Sequence, residues 1–360
     1  MGRLTEKARV TKVRLGDGSP GHPAVEVDTR ADTLAVEEPL QIRVDGTDLT
    51  TTMRTPGNDI ELVHGLLHAE GVITTRTDVA EARYCAGAVG PMGGNTYNTL
   101  DISLRDATAS TCGVPASPDP RAPRDSQESQ GLQGSQGSQG AQGSSRPAPV
   151  LPRPATGASC PTLPVGGVTV PRGARELPVR NLVTNSACGV CGTTSIDDLM
   201  KEKRYTLTPV HPTAELVVSM PRRLAEGQRS FRKTGGIHAA GAFTADGRPL
   251  VIREDVGRHN AADKVIGALL LADRLPGDVR QRTVDAGLGP DGDPDTPAYL
   301  VMSSRASFEL VQKAVLAGFS GLIAVSAATS LAVDMAKESG LLLTGFTRDD
   351  RFNLYSGGLA

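Results

Sequence analysis

Cys188 and Cys191 stand with two residues between them in Asn185-Ser-Ala-Cys188-Gly-Val-Cys191-Gly192-Thr-Thr-Ser-Ile-Asp197, with a glycine after each. Paired thiols at this spacing hold a metal, exchange with a disulfide or carry a sulfur atom. Zinc needs about four ligands, and Cys85, Cys112 and Cys160 are isolated while the histidines are scattered. A thioredoxin-like pair opens a helix directly after a strand, which Gly192-Thr-Thr does not suggest. Two small buried thiols are the blandest reading, and the glycines and polar neighbours speak for a surface loop instead. A thiolate on a swinging loop accepts sulfur as a persulfide, and a second thiol releases or protects it by exchange. Sulfur chemistry is the reading the pair favours, with zinc, redox and buried-pair readings left beside it.

A second constellation follows in three blocks: Lys233-Thr-Gly-Gly-Ile-His238-Ala-Ala-Gly241, Arg253-Glu-Asp255-Val-Gly-Arg258-His259-Asn260-Ala-Ala-Asp263-Lys264, and Ser303-Ser-Arg305-Ala-Ser-Phe-Glu309-Leu-Val-Gln-Lys313. Each block lies at a strand-to-helix junction or just before a strand. Helix N-termini beside Gly, Ser and Arg suit an anionic, phosphate-bearing ligand. Singly, Arg253, Glu254, Asp255 and Arg258 also read as a satisfied ion network, and His238 as an ordinary half-buried histidine. Three junctions of the same chemistry move the group toward function.

The elements that must position these blocks are legible from pattern. Leu40–Val44 alternates, Asp45-Gly46 offers a tight turn and Asp48–Met53 resumes, which predicts a hairpin. Asn58 with Glu61 three residues on predicts a capped helix whose apolar stripe is Ile60, Leu62, Val63, Leu66 and Leu67. Tyr97–Leu104 alternates as a strand. Further on, the pattern gives a helix over Pro221–Lys233, strands at Ile237–Thr244 and Pro249–Arg253, and a helix over Gly257–Leu275. A strand at Ala298–Met302, a helix at Ser307–Ala317, a strand at Leu322–Val325, a helix at Ser330–Glu338 and strands at Leu341–Gly345 and Arg351–Tyr355 follow. The predicted class is α/β, a mixed sheet with helices on both faces, plus a smaller N-terminal α+β domain.

The chain has 360 residues with 38 basic and 40 acidic side chains. That balance argues against a nucleic-acid coat or a polybasic membrane binder. No export signal is evident at the N-terminus, and apolar runs fall short of the roughly 18 to 20 residues of a span. The reading is cytoplasmic, with reduced thiols. The Gln/Gly/Ser/Pro-rich tract over 113–163 cannot bury enough surface to offset its ordering entropy, and is expected to be a disordered insertion. Around it the chain divides into a loose leader or edge hairpin over 1–30, the N-terminal domain over 31–112, its remainder with the CxxC loop over 164–220, and an α/β domain over 221–356. Gly287–Pro297 reads as a shorter loop insertion.

The helix, hairpin and βαβ order resembles the cytidine-deaminase-like fold. Those zinc enzymes place H-x-E and P-C-x-x-C at two helix starts. Here the positions read Gly257-Arg258-His259-Asn260 and Ser304-Arg305-Ala306-Ser307, so the pocket has the position without the ligands and no permanent metal is expected.

Together, Ser186-Ala-Cys188-Gly-Val-Cys191-Gly192, Thr234-Gly-Gly-Ile-His238, Glu254–Lys264, Ser303–Glu309 and Phe346-Thr347-Arg348-Asp349-Asp350-Arg351 resemble the formate dehydrogenase accessory sulfurtransferase family, FdhD type. The resemblance implies a sulfur carrier acting as a chaperone for the molybdenum cofactor. It implies sulfur from a cysteine desulfurase, delivery to Mo-bis(molybdopterin guanine dinucleotide) as bound substrate, and formate dehydrogenase as acceptor. By the same resemblance Cys188 carries the persulfide, Cys191 assists and Phe346–Arg351 binds cofactor, with a homodimer as the implied assembly; His238, Arg258, His259 and Arg305, from the junction blocks, are the further cofactor-binding candidates. Phe346 could stack on a guanine or pterin face and Arg351 pair with phosphate. The alternatives are a chaperone whose cysteines only clamp the metal, and a zinc-stabilised interaction domain.

Overall fold

The computed structural model describes residues 3–16, 25–85, 98–105, 204–289 and 292–360, with the backbone of Val183–Thr184. Cys188, Cys191 and the 113–163 tract lie outside the described residues. In chain order the strands and helices are β1 (Thr5–Leu15), β2 (Val25–Ala35), β3 (Glu38–Val44), β4 (Thr47–Arg54), α1 (Asp59–Ala69), β5 (Val79–Cys85), β6 (Thr99–Leu104), β7 (Val183–Thr184), α2 (Ala214–Gly227), α3 (Phe231–Thr234), β8 (His238–Thr244), β9 (Pro249–Asp255), α4 (Arg258–Leu271), α5 (Pro276–Asp285), β10 (Pro297–Met302), α6 (Phe308–Ala317), β11 (Gly321–Ala324), α7 (Ser330–Ser339), β12 (Leu342–Arg348) and β13 (Arg351–Ser356).

The central sheet has the order β13-β12-β11-β10-β8-β9. Its middle strands β10, β11 and β12 are parallel, while β8, β9 and β13 run antiparallel to their neighbours. Alternation along the strands separates two faces. Ala239, Phe243, Tyr299, Val301, Ile323 and Leu342 pack with Val217, Met220 and Leu224 of α2. Ala240, Ala242, Leu300, Met302, Leu322 and Leu343 face the other way, into the core formed with α4, α6 and α7. Helices therefore cover both faces, as the sequence predicts. A second sheet, β5-β6-β3-β4-β7, puts Leu40, Ile42, Val44, Leu100 and Ile102 into that same core, so the N-terminal elements and the α/β elements share one interior rather than two. None of the helices among the described residues is long and apolar enough to cross a membrane.

Several boundaries differ from the sequence reading for identifiable reasons. The helix expected over Pro221–Lys233 starts at Ala214, where Thr213 Oγ1 accepts the Leu216 N–H, and it carries Pro221 in its interior. An interior proline costs about 3 kcal/mol. Burial of Val217, Met220 and Leu224, at roughly 1.5 to 3 kcal/mol each, outweighs that. The helix expected to run to Leu275 ends at Leu271, and α5 begins at Pro276. Helix α5 was not evident because it has few apolar residues; it is tied in by Arg280, which donates to the Gly318 and Pro297 carbonyls at 2.6 and 3.2 Å. Strand β5 is a polar sheet edge without a clear alternation. Strands β1 and β2 pair antiparallel, the edge-hairpin alternative rather than the loose leader, with β-branched cross-strand pairs such as Thr11–Thr29 and Val13–Val27. Finally, Asn58 has left-handed backbone and no side-chain cap bond, while Glu61 turns away to Arg253.

Candidate functional site

The C-terminal ends of parallel strands in an open α/β sheet are where backbone polarity and helix N-termini converge. Here the loops leaving those ends are stitched together past the sheet itself. Ser303 N–H donates to the Ala239 carbonyl at 3.0 Å, and Ala239 N–H donates to Ser303 Oγ at 2.8 Å. Ser326 N–H donates to the Ser304 carbonyl at 3.3 Å, and Phe346 N–H to the Ser326 carbonyl at 3.0 Å. Ala306 bridges Ala328 in parallel. The rim therefore runs from His238 through Ser303–Arg305 and Ser326 to Phe346, three strand spacings or about 14 Å across.

The cationic end of this rim is built on the first turn of α4. Asp255 anchors it: its carboxylate accepts the Gly257 N–H at 2.8 Å, the Thr55 N–H at 3.1 Å and Asn260 Nδ2 at 3.1 Å, and pairs with Lys264 at 2.7 Å, both side chains buried. Asn260 and Lys264 also donate to the Met53 and Thr55 carbonyls, at 2.7 and 2.9 Å, which fastens the β3–β4 hairpin to the helix start. With those groups turned inward, Arg258 and His259 are left at the rim. His259 Nε2 lies 2.8 Å from Glu309 and 3.2 Å from Ser307 Oγ, both at the start of α6. Burial lowers the Arg258 guanidinium, and the charge of Arg305 lowers it further, with Glu309 opposing. Its Nε is buried without a hydrogen-bond partner. His238 is lowered too, by burial first and then by Arg258, which favours the neutral ring. Two guanidiniums held near one another beside helix starts form a setting for an anion.

The aromatic end is Phe346. Its φ of 50° is rare for a bulky residue and coincides with a register shift between Gly345 and Arg348. The irregularity leaves the ring 41% exposed at the rim. A Cβ on Gly345 would lie 2.9 Å from both the Ser326 carbonyl oxygen and the Tyr355 ring, so only glycine fits beside it.

A family model described as the FdhD/NarQ family matches residues 35–131 and 166–359. The chain belongs to the FdhD/NarQ family. Relatives include the sulfur carrier protein FdhD of Corynebacterium efficiens, 46% identical over 363 residues with 100% of each chain covered. That of Nocardia farcinica is 40% identical over 359 residues, covering 99% of this chain and 94% of the relative. A crystal structure from Desulfotalea psychrophila, of a protein named as a formate dehydrogenase accessory protein, matches with TM-score 0.54 at 16% identity over 99% and 98% of the two chains; it shares the fold.

Within this FdhD/NarQ chain, the described residues singled out from sequence separate into three groups. His238, Arg258, His259 and Arg305 come together at one end of the rim. Phe346 stands on the same rim, beyond Ser326. Thr347 does not face it: the side chain is fully buried and Oγ1 lies 3.0 Å from Thr344 Oγ1. Arg348, Asp349, Asp350 and Arg351 sit in the exposed β12–β13 turn, where Arg351 and Asp350 are 3.9 Å apart at 67% and 77% exposure. Ser326 lies outside every block read from the sequence, and Glu309 enters there only as part of the Ser303–Lys313 block, without a role of its own. The Ser326-Ala-Ala-Thr-Ser330 run between a strand and a helix was the available signal for the first.

Proposed function

We propose that this chain is a sulfur carrier that takes persulfide sulfur from a cysteine desulfurase onto Cys188 and delivers it to Mo-bis(molybdopterin guanine dinucleotide) before the cofactor enters formate dehydrogenase. Family membership and relatives named sulfur carrier protein FdhD support the reading. The observation that supports it for this chain's own residues is the pairing of β7, a few residues before the CxxC motif in sequence. Thr184 pairs in register with Thr52 on β4, and Thr52 Oγ1 donates to Asn260 in the first turn of α4 at 3.2 Å. Cys188 follows Thr184 by four residues, so connectivity alone keeps it within about 14 Å of that attachment. That short link to a β4 residue bonded to the start of α4 supports a role for the thiol at the rim.

Loading begins when the Cys188 thiolate attacks the outer sulfur of the donor persulfide; the donor S–S bond breaks and its thiolate leaves. For delivery, the Cys191 thiolate attacks Cys188 Sγ. The bond to the outer sulfur breaks, sulfur departs as hydrosulfide for the molybdenum centre, and the resulting disulfide records the two electrons given up. A cellular dithiol restores the pair. Arg258 and Arg305 pair with the pyrophosphate of the cofactor, and Phe346 stacks on its guanine or pterin. The cytidine-deaminase-like reading of the scaffold is supported by the hairpin β8–β9 leading into parallel strands, with α4 and α6 starting at the rim.

A strain carrying Cys188→Ala tests the proposal. Formate dehydrogenase activity is expected to vanish while the purified variant still binds GDP, used as the probe for the guanosine diphosphate moiety; unchanged activity would sink the assignment.

A further inference from the structure

The rim gathers Arg258, Arg305, His238 and His259 around an anion site, yet it also contains a carboxylate. Asp255 is not that group, because Lys264, Asn260 and two backbone N–H groups already occupy it. Glu309 is: its Oε2 is 2.8 Å from His259, it is 19% exposed, and its charge acts on Arg258. One turn further along the same two helices, Asp263 and Lys313 pair at 2.7 Å and neutralise each other in the interior. That second pair locks α4 against α6 in the interior, whereas Glu309, paired with His259 in the first turn of α6, is the carboxylate whose charge reaches the rim cations.

Resting on the reading of the rim as a phosphate site, we infer that Glu309 is a built-in counter-anion that weakens the hold on a phosphate-bearing cargo so that the cargo can leave. A carrier must release what it binds, and a cluster with two fixed cations and no opposing charge would retain a multiply charged pyrophosphate. Repulsion between two unit charges about 6 Å apart corresponds to a roughly threefold loss of affinity at the dielectric of water and roughly a hundredfold at an effective dielectric of 20. Roughly tenfold is the expectation for a partly exposed group.

The test measures GDP and inorganic pyrophosphate binding to the full chain, wild type against Glu309→Gln and Glu309→Asp, by calorimetry at low and high salt, with a thermal melt for each protein. The inference expects E309Q to bind both probes roughly tenfold tighter, E309D to stay near wild type, and the difference to shrink toward unity as salt rises. Affinity in E309Q that is unchanged or weaker, with the melt intact, overturns it, because Glu309 would then only position His259. Should E309Q fail to fold, E309D decides: tighter binding there, or an advantage insensitive to salt, also overturns it. No binding of either probe by wild type or variants overturns the phosphate reading of the rim itself, and this inference with it.

Discussion

Gly65 on α1 and Gly267 on α4 mark a helix crossing so close that neither position has room for a methyl group. A Cβ built on Gly65 would lie 2.0 Å from the Asp263 carbonyl oxygen, and one on Gly267 would lie 1.8 Å from that of Glu61. Both obstacles are backbone, so no side-chain rotation relieves the clash. The helices must move apart by about 1 Å to reach even the tightest contacts real Cβ atoms make. That separation loosens Leu62 and Val63 against Val265 and Ile266, all buried, and strains the paired bonds from Arg253 to Glu61 at 2.5 and 2.8 Å. Overpacking of this kind costs about 1 to 3 kcal/mol, and the backbone obstacle places Gly65→Ala and Gly267→Ala at the upper end. A loss of about 3 kcal/mol corresponds to a drop of roughly 6 °C or more in melting temperature. Gly236→Ala, whose Cβ has its nearest neighbour 4.0 Å away, is the control and should melt within about 2 °C of wild type. The double variant should lose less than the sum, since one displacement relieves both clashes. Calorimetric melts of wild type and the four variants test this. If G65A and G267A melt with the control, the crossing is not a clamp and the reasoning fails.

Two further outcomes follow from the site and its surroundings. His68, 4% exposed on α1, is driven down to about 4 by burial and then by the charges of Arg204 and Lys313. A base depressed in the fold contributes its full stability above the unfolded value near 6.5 and loses it as pH falls toward 4. Chemical denaturation between those limits should therefore show a loss of roughly 3 kcal/mol, and His68→Gln should flatten most of that slope; a parallel slope in H68Q would contradict the assignment. Phe346→Ala should leave the melting temperature nearly unchanged, since the ring is 41% exposed and alanine keeps the same Cβ at a φ of 50°. It should nevertheless weaken GDP binding about tenfold through lost stacking, and equal GDP affinity in the two proteins would remove Phe346 from the site.

The sequence shows the hairpin β3–β4 plainly because Asp45 and Gly46 both take positive φ, at 48° and 78°, as the tight turn requires. It shows the strand-end cluster because each polar block follows or precedes an apolar run. What it hides has physical causes. Glu61 carries the pattern of a local cap but finds a better partner in Arg253, 192 residues away, and pattern rules see only neighbours. Pro221 signals a helix start, and three buried side chains overrule it. Thr347 belongs to the same motif as Phe346, but the backbone irregularity at Phe346 breaks the simple alternation and sends Thr347 into the core. The lateral stitching through Ser326 leaves no periodic trace, since it depends on which strands become neighbours.

The central claim is that Cys188 carries sulfur. Incubating the purified chain with a cysteine desulfurase and cysteine, then measuring the mass of the peptide that holds Cys188 and Cys191, tests it directly. The account predicts a gain of one sulfur atom on that peptide, reversed by a dithiol and absent in Cys188→Ala. A wild-type peptide that gains no sulfur would contradict it.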